Sequence, residues 1–467
     1  MKPINVLLVY PNRETVLRIP LAGSILCSAI ENAGHNVKVF DTTFVGNQFK
    51  TDIHFSEQKG TVKKSNIAEY IGELDERPLD KIVKDCVQDF PPDLIAVTLI
   101  ERNFSTAIDV LKKLKHFTSA PILAGGIMAS IAPEMLIDLA EIDMICLGEG
   151  EGAIVDVCAA IAERRSFHNI KNLWIKKNGE IIKNPLRPLV NLHEIPEQNW
   201  KPFDNRHLYR SYKGEVYRNG SFEFARGCMK VCSFCVAPSL RRIQKNLGKY
   251  HRFKNGARVV EEIAAKVREY ELNLIHFCDT DFLSNMQSDN LEAFATLYRK
   301  HIGLPFLIQT GAETITDSKM RLLKIAGCDN ISIGVESGSD RIRQKVIHKR
   351  VSKEKIIEAF QLGRKYKIRM TANYMLGLPD ETEADIMETI RFNRLVNPPA
   401  IAAFYFTPFI GTELYDVSLK KGYIKGFDPN QNLHRESPLE MPHLHKQRVK
   451  VLLEQFIDDF ESYKDEY

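Results

Sequence analysis

Cysteine is scarce in this chain, nine residues in 467, and six of the nine (Cys27, Cys86, Cys146, Cys158, Cys278 and Cys328) stand singly in apolar segments. Without paired spacings there is no disulfide framework to build on, and the composition fits a reducing compartment. Long hydrophobic runs are missing as well. None approaches the length of a membrane span, and the apolar start within Met1–Tyr10 is too short for a signal peptide. One-signed charge is also lacking: a net charge of +4 gives no argument for nucleic acid. No repeat or low-complexity segment stands out. The expectation is a cytoplasmic protein with no nucleic-acid partner and no membrane span. At 44 % hydrophobic and 27 % charged, its 467 residues suffice for two or three globular domains.

What is present is alternation. Apolar runs at 4–10, 37–41, 94–98, 121–124 and 144–147 read as strands. Helical patterns lie between them at 21–33 (stopped by Gly34) and 105–117, from Pro133, and over about 152–164. Strands and helices at this spacing imply a doubly wound parallel sheet over 1–165, with a ligand crevice beyond the strands' carboxyl ends. The tips there carry Gly125-Gly126 and Gly148-Glu149-Gly150-Glu151, where small residues let a large planar ligand approach the backbone. Turns after strands need glycine in any case. The stretch 51–80 is polar and reads as an irregular insertion with a short helix. Residues 166–215, with Asn178-Gly179 and several prolines between strand-like runs, read as an ordered linker.

A second alternation begins at 221. Strands expected at 221–225, 274–278, 306–309, 330–335, 369–374 and 401–405, with five intervening helices, predict a barrel or open barrel over 216–425. Its chemistry belongs at the carboxyl ends. The segment 426–467 closes the chain with Val449, Leu452, Phe456, Phe460 and Tyr463 at helical spacing, a face suited to packing on the barrel.

Directly after the first barrel strand stands Cys228-Met-Lys-Val-Cys232-Ser-Phe-Cys235. Three thiolates at this spacing on a loop can hold three corners of a four-iron four-sulfur cluster and leave one iron open. The competing readings are zinc, which wants four tetrahedral ligands and whose nearest histidine downstream of the motif is His251, beyond a long basic stretch, and three buried thiols. Glu336 and Ser337 end an apolar strand, where a carboxylate is costly unless it has a partner. A structural salt bridge is the alternative to a ligand contact there. The run Arg241–Lys254 holds six basic residues and no acid, which suits a solvated face or an anionic partner.

The cysteine motif, Gly334-Val-Glu-Ser-Gly-Ser339 and Gly377-Leu-Pro-Asp-Glu-Thr382, set behind a doubly wound domain, together resemble the cobalamin-dependent radical S-adenosylmethionine enzymes over roughly residues 1–425. The resemblance implies an α/β protein: a Rossmann-like cobalamin-binding domain, a partial (β/α)6 TIM-type barrel and a short C-terminal helical segment. It implies Cys228, Cys232 and Cys235 as ligands of a [4Fe-4S] cluster, with S-adenosylmethionine on the open iron. Phe234 would lie against the adenine, Glu336 and Ser337 at the ribose or amino end, and Gly377 at the turn facing adenine. Asp279 or Asp281 would orient the methionine amine or the substrate, with helix capping as the competing use. Thr98, Leu99, Gly125, Gly126, Gly148 and Glu149 resemble the tips that hold the cobalamin nucleotide tail. The Asp-x-His-x-x-Gly loop that supplies a lower histidine in other cobalamin proteins is replaced by Pro11-Asn-Arg-Glu-Thr15.

The activity so implied is reductive cleavage of S-adenosylmethionine to a 5′-deoxyadenosyl radical, followed by cobalamin-dependent methyl transfer to an unactivated carbon of a small-molecule or peptide substrate. Electrons would come from a flavodoxin- or ferredoxin-type reductant. Oxidative cyclisation or another radical rearrangement with the same cofactors is the alternative. A methylthio-transferring relative is disfavoured, because its three additional N-terminal cysteines and basic β-rich module are missing. An iron–sulfur sensor or electron carrier would leave Glu336-Ser337 and the second domain without purpose. The catalytic residues acting on substrate are not assigned by sequence; Phe404, Tyr405 and Phe406 are candidates for an apolar pocket or for core.

Overall fold

Two separate sets of aliphatic strands build two seven-stranded sheets. The computed structural model describes residues 2–12, 17–46, 63–429 and 436–464. Arg13–Thr15 of the loop after the first strand, 51–62 of the polar insertion, and 430–435 and 465–467 of the C-terminal segment lie outside the described residues. The described chain divides into two compact units, one of residues up to 46, 66–210 and 239–250, the other of 63–65, 211–238 and 251 onward.

In the first unit the strands are β1 (Asn5–Tyr10), β2 (Asn36–Asp41), β3 (Leu94–Thr98), β4 (Ile122–Gly125), β5 (Met144–Cys146), β6 (Leu173–Lys177) and β7 (Glu180–Lys183). Their order is β2-β1-β3-β4-β5-β6-β7, with β1 to β5 parallel. β1 reads out as Val6, Leu7, Leu8 and Val9, all buried, as a strand covered on both faces must be. The direction of winding reverses between β1 and β3, so the ligand crevice of this topology falls beyond their carboxyl ends. Gly34, at φ +83, ends the helix Leu21–Asn32 in the left-handed conformation that a side chain resists. The segment read as a linker does more than connect. Asn178 and Gly179 both take positive φ, the two-residue turn of a tight hairpin, and β6 and β7 extend the sheet antiparallel from β5.

The second sheet runs β16-β15-β14-β13-β12-β9-β8, from β8 (Tyr209–Tyr212), β9 (Glu215–Phe222), β12 (Leu274–Phe277), β13 (Phe306–Thr310), β14 (Cys328–Glu336), β15 (Arg369–Leu376) and β16 (Ala400–Tyr405). β9 and β12 to β16 are parallel neighbours. The outer neighbour of β9 is β8, not β16, so the barrel is open. One expected strand differs. The run 221–225 does not continue as a strand: β9 ends at Phe222, and Ala225–Arg226 (β10) pairs antiparallel with Arg252–Phe253 (β11) in a separate ribbon. The cause is Asp279, whose carboxylate takes the amides of Phe224 and Ala225 and turns the chain out of the sheet.

Helix Lys446–Glu461 buries Val449, Leu452, Phe456 and Phe460. Phe456 meets Tyr374 of β15 edge-on at 5.0 Å, and Arg394 bonds Asp459. The helix covers the barrel, as its periodicity predicts. Among the described residues no helix is long and apolar enough to cross a membrane.

Candidate functional site

At the carboxyl end of the barrel a cavity of about 230 Å³ has Cys228, Cys232, Cys235 and Phe234 in its wall. The opposite wall comes from strand ends: Thr280 after β12, Gln309 and Thr310 of β13, Ser332, Gly334 and Glu336 of β14, and Asn373 of β15. Two lysines, Lys230 and Lys349, complete it. The thiols sit in little water. Burial pushes Cys232 up to about 11 and raises Cys235, so metal uptake must displace protons there. Among the described residues no three Cys, His, Asp or Glu side chains converge on a point that would hold a single ion. A cubane cluster needs no such convergence, because it takes each thiolate on a different iron. The donor set therefore fits a cluster better than zinc.

Glu336 stands at φ +69, a backbone region costly for any residue but glycine, and the β14–β15 register shifts between Gly334 and Glu336. Its carboxylate turns into the cavity wall and accepts from Lys349 Nζ at 3.0 Å; Lys349 also donates to the Gly334 carbonyl. Glu336 thus forms the salt bridge that the sequence offered as one alternative, and it also lines the cavity. A side chain at Gly334 would strike this pair, its Cβ lying 2.8 Å from Lys349 Nζ. Lys230, inside the cysteine motif, is held between Asp281 at 2.8 Å and Glu313 at 2.7 Å. Asp281 also accepts from Thr310 Oγ1 at 2.5 Å. The two carboxylates hold the Lys230 ammonium well above its usual range against the opposing effect of burial.

Three other sequence candidates lie behind the cavity wall. Asp279 is spent on the Phe224 and Ala225 amides, and burial lifts its carboxyl to about 7 against their pull. Ser337 shares its hydroxyl with Thr389 at 3.2 Å. Gly377, at φ +81, gives its amide to Glu381 at 2.7 Å, and a Cβ there would meet Val449 and Ser437. These residues shape the loops that carry the cavity. Of the late aromatic run, Tyr405 and Phe406 are buried, whereas Phe404 is 42 % exposed. Phe404 pairs with Met375 two positions beyond Asn373, on the cavity-facing side of β15 and β16. Lys254 of the basic run is buried beside Glu223 at 3.6 Å.

Lys230, Lys349, Gln309, Ser332 and Asn373 were missed by the sequence reading. The last three carried a signal: they are polar residues within mostly apolar strands, near the carboxyl end where the cavity opens.

In the first unit, Gly125 has nothing within 4 Å of where a Cβ would sit. Gly126, at φ +92, packs so closely that a Cβ would lie 2.7 Å from the Leu99 carbonyl and 2.9 Å from Thr98 Oγ1. Leu99 donates to Gly125 at 2.9 Å, which ties the β3 and β4 tips together. Ile100 and Ile127 beside them are 40 % and 42 % exposed. Open backbone flanked by exposed aliphatics fits a large, partly apolar ligand. Gly148 and Glu149, after the neighbouring β5, are engaged within the protein: the Gly148 amide donates to Ser130 Oγ at 2.8 Å. Glu149 accepts from the Val190 amide at 2.7 Å, and the crevice it shares with Gly148, Gln244 and Leu247, about 10 Å³, has room for one water.

Two family models match the chain, the radical SAM superfamily over 222–392 and the B12 binding domain over 61–158, together more than half of it. An uncharacterised methyltransferase of Pyrococcus horikoshii is 24 % identical over 97 % of this chain and 91 % of its own length. The anaerobic magnesium-protoporphyrin IX monomethyl ester cyclase of Cereibacter sphaeroides is 25 % identical over 88 % of this chain and 63 % of its own. The fold matches the radical S-adenosylmethionine methyltransferase TsrM of Kitasatospora setae, solved with cobalamin and a [4Fe-4S] cluster, at a TM-score of 0.68 and 18 % identity, covering 98 % of this chain and 82 % of that one. A radical SAM domain that carries the cysteine-lined barrel cavity, joined to a B12-binding domain, identifies the chain as a radical SAM protein with a cobalamin-binding domain.

Proposed function

We propose that this enzyme transfers a methyl group to an unactivated carbon of a small-molecule substrate, using a [4Fe-4S] cluster on Cys228, Cys232 and Cys235 together with bound cobalamin. The reading is carried by the meeting of three cysteines, Phe234 and the Glu336–Lys349 pair around one cavity at the carboxyl end of the barrel. When bound, the cluster and S-adenosylmethionine would supply the 5′-deoxyadenosyl radical, and the corrinoid would supply the methyl group. The chain's own residues have more ordinary tasks. Glu336 and Lys349 offer one acceptor and one donor for the amino-acid or ribose end of S-adenosylmethionine. Phe234 offers a flat apolar surface for adenine, and Gln309, Ser332 and Asn373 give neutral polar contacts deeper in. Phe404 bounds the side where an apolar part of the substrate would rest. Thr98, Leu99, Gly125 and Gly126, with Ile100 and Ile127, would take the corrinoid. A flavodoxin- or ferredoxin-type protein would deliver the electrons.

The likeness to the Cereibacter cyclase, as high in identity as that to the Pyrococcus methyltransferase, favours oxidative cyclisation as the second reading. The test is anaerobic reconstitution with iron, sulfide and hydroxocobalamin, desalting, and reduction with S-adenosylmethionine. About one corrinoid per chain, with deoxyadenosine formed and lost in Cys232→Ala, is expected. Deoxyadenosine without retained corrinoid removes cobalamin as the methyl donor. An intact cluster giving neither refutes the catalytic reading. With a substrate in hand, labelled methyl in the product separates methyl transfer from cyclisation.

A further inference from the structure

After Ser339 the chain forms a π-turn, Arg341–Val346, in place of an α-helical one. Its signature bond runs from the Ile347 amide to the Ile342 carbonyl at 3.0 Å, five residues back. Such turns insert one residue and re-aim the chain beyond it, and they concentrate at functional positions. In its middle lies Arg343, a fully buried cation.

The guanidinium of Arg343 is a junction. Nη1 donates to the Ser337 carbonyl at 3.0 Å, Nε to the Val351 carbonyl at 3.0 Å, and Nη2 pairs with Asp340. Its own carbonyl accepts the Lys349 amide at 2.7 Å. One bond therefore fixes the residue next to Glu336, and another fixes Lys349. These two are the carboxylate and ammonium that meet in the cavity wall. The ring closes: Glu336, Ser337, Arg343, Lys349 and back to Glu336. At the turn's far end the carbonyls of Val346 and Ile347 accept from Ser233, through its hydroxyl at 2.7 Å and its amide at 3.2 Å. Ser233 follows Cys232 in the cysteine loop. A single element thus holds both the cysteine loop and the ion pair opposite it.

We infer that Arg343 is a positioning residue for S-adenosylmethionine: through the π-turn it sets the Glu336–Lys349 pair in register with the cysteine loop, without touching the ligand itself. The left-handed backbone of Glu336 is costly, and the Arg343–Ser337 bond is one of the constraints on its C-terminal neighbour, beside the Ser337 bonds to Val335 and Thr389. A planar cation with forked donors is suited to bridging two carbonyls and a carboxylate, which a lysine ammonium is not. The inference rests on the functional reading above.

The test uses the anaerobically reconstituted holoenzyme and reads the binding of S-adenosylmethionine from its perturbation of the reduced cluster's EPR signal. Loss of a charged donor should weaken binding by about tenfold in Arg343→Gln and about threefold in Arg343→Lys, with iron per chain unchanged. A merely structural role would lower the melting temperature of these variants and leave the affinity of the folded fraction alone. Affinity within about twofold of wild type in a folded variant overturns the inference. Hydrogen exchange on the wild type gives a reading that no variant's folding can confuse. The peptide 341–351 should gain protection when S-adenosylmethionine binds, and no gain also overturns it. A wild-type signal that S-adenosylmethionine does not perturb refutes the functional reading instead.

Discussion

The two sheets present opposite surfaces at their carboxyl ends. In the barrel that end is crowded with charge: Lys349 on Glu336, and Lys230 between Asp281 and Glu313. In the first sheet the tips of β3 and β4 are themselves uncharged, Thr98, Leu99, two glycines and two exposed isoleucines, with charge beginning only at Glu101 and Arg102 beyond them. One surface is suited to holding a zwitterion and a cluster by specific contacts. The other is suited to admitting a large flat ligand by leaving room for it. If that contrast is real, damage at the first should act through lost contacts and damage at the second through added atoms.

The largest expected effect is at the cysteines. Cys232→Ala should reduce bound iron and deoxyadenosine formation to background while corrinoid retention persists, measured on the same desalted sample. Loss of both cofactors together would break the contrast. Next comes the ion pair. Lys349→Met strands the Glu336 carboxylate at 12 % side-chain exposure, and should cost about 3 kcal/mol in denaturant unfolding of the chain. Adding Glu336→Leu should return part of that loss. A double variant no better than the single one would mean that Glu336 has no need of its partner.

A smaller effect is one of pH. Glu381 is buried, and burial lifts its carboxyl from 4.5 to about 8, although it accepts the Gly377 and Leu378 amides. The folded state then keeps a proton that the unfolded chain has released. Its contribution is fully present below about pH 4.5 and is lost as pH rises toward 8, with a slope of at most about 1.4 kcal/mol per pH unit. Glu381→Gln should flatten the stability profile over that window. An unchanged slope would assign the dependence to other groups.

The barrel end was the more legible in sequence because its chemistry is carried by rare residues at fixed spacing. Three cysteines in eight positions and a carboxylate ending an apolar strand have few other uses. What remained hidden was direction. Asp279 and Glu336 both follow apolar strands, yet one turns back to the amides of 224 and 225 and the other into the cavity, a choice made by backbone geometry. Lys349, within His348-Lys349-Arg350, has the appearance of a surface run until the π-turn carries it inward. In the first unit the glycine tips were found but could not be ranked, since a turn and a ligand platform need the same residue. Gly148 and Glu149 also follow a strand, but Gly148 gives its amide to Ser130 and Glu149 holds the Val190 amide beyond β7. Alternation of strands and helices was enough to give the parallel strands of both sheets, because buried parallel strands demand long apolar runs, whereas β6, β7 and β8 lay hidden in the segment read as a linker.

The glycines give the smallest effects and the sharpest contrast. A methyl at Gly126 would sit 2.7 Å from the Leu99 carbonyl on a backbone at φ +92, so Gly126→Ala should cost about 1–2 kcal/mol and move the tip. Corrinoid retention would then fall through distortion, which says little about contact. Gly125→Ala adds the same methyl into open space. Stability should change by less than about 0.5 kcal/mol, because nothing in the protein opposes the new atom. Only a bound ligand could oppose it. Retention of hydroxocobalamin after desalting should therefore drop in Gly125→Ala and further in Gly125→Val, with the melting temperature of the cofactor-free chain unmoved. Retention equal to wild type in both variants would remove Gly125 from the corrinoid site. The glycine tip would then be a turn, and the contrast between the two sheets would reduce to the buried ion pairs of the barrel.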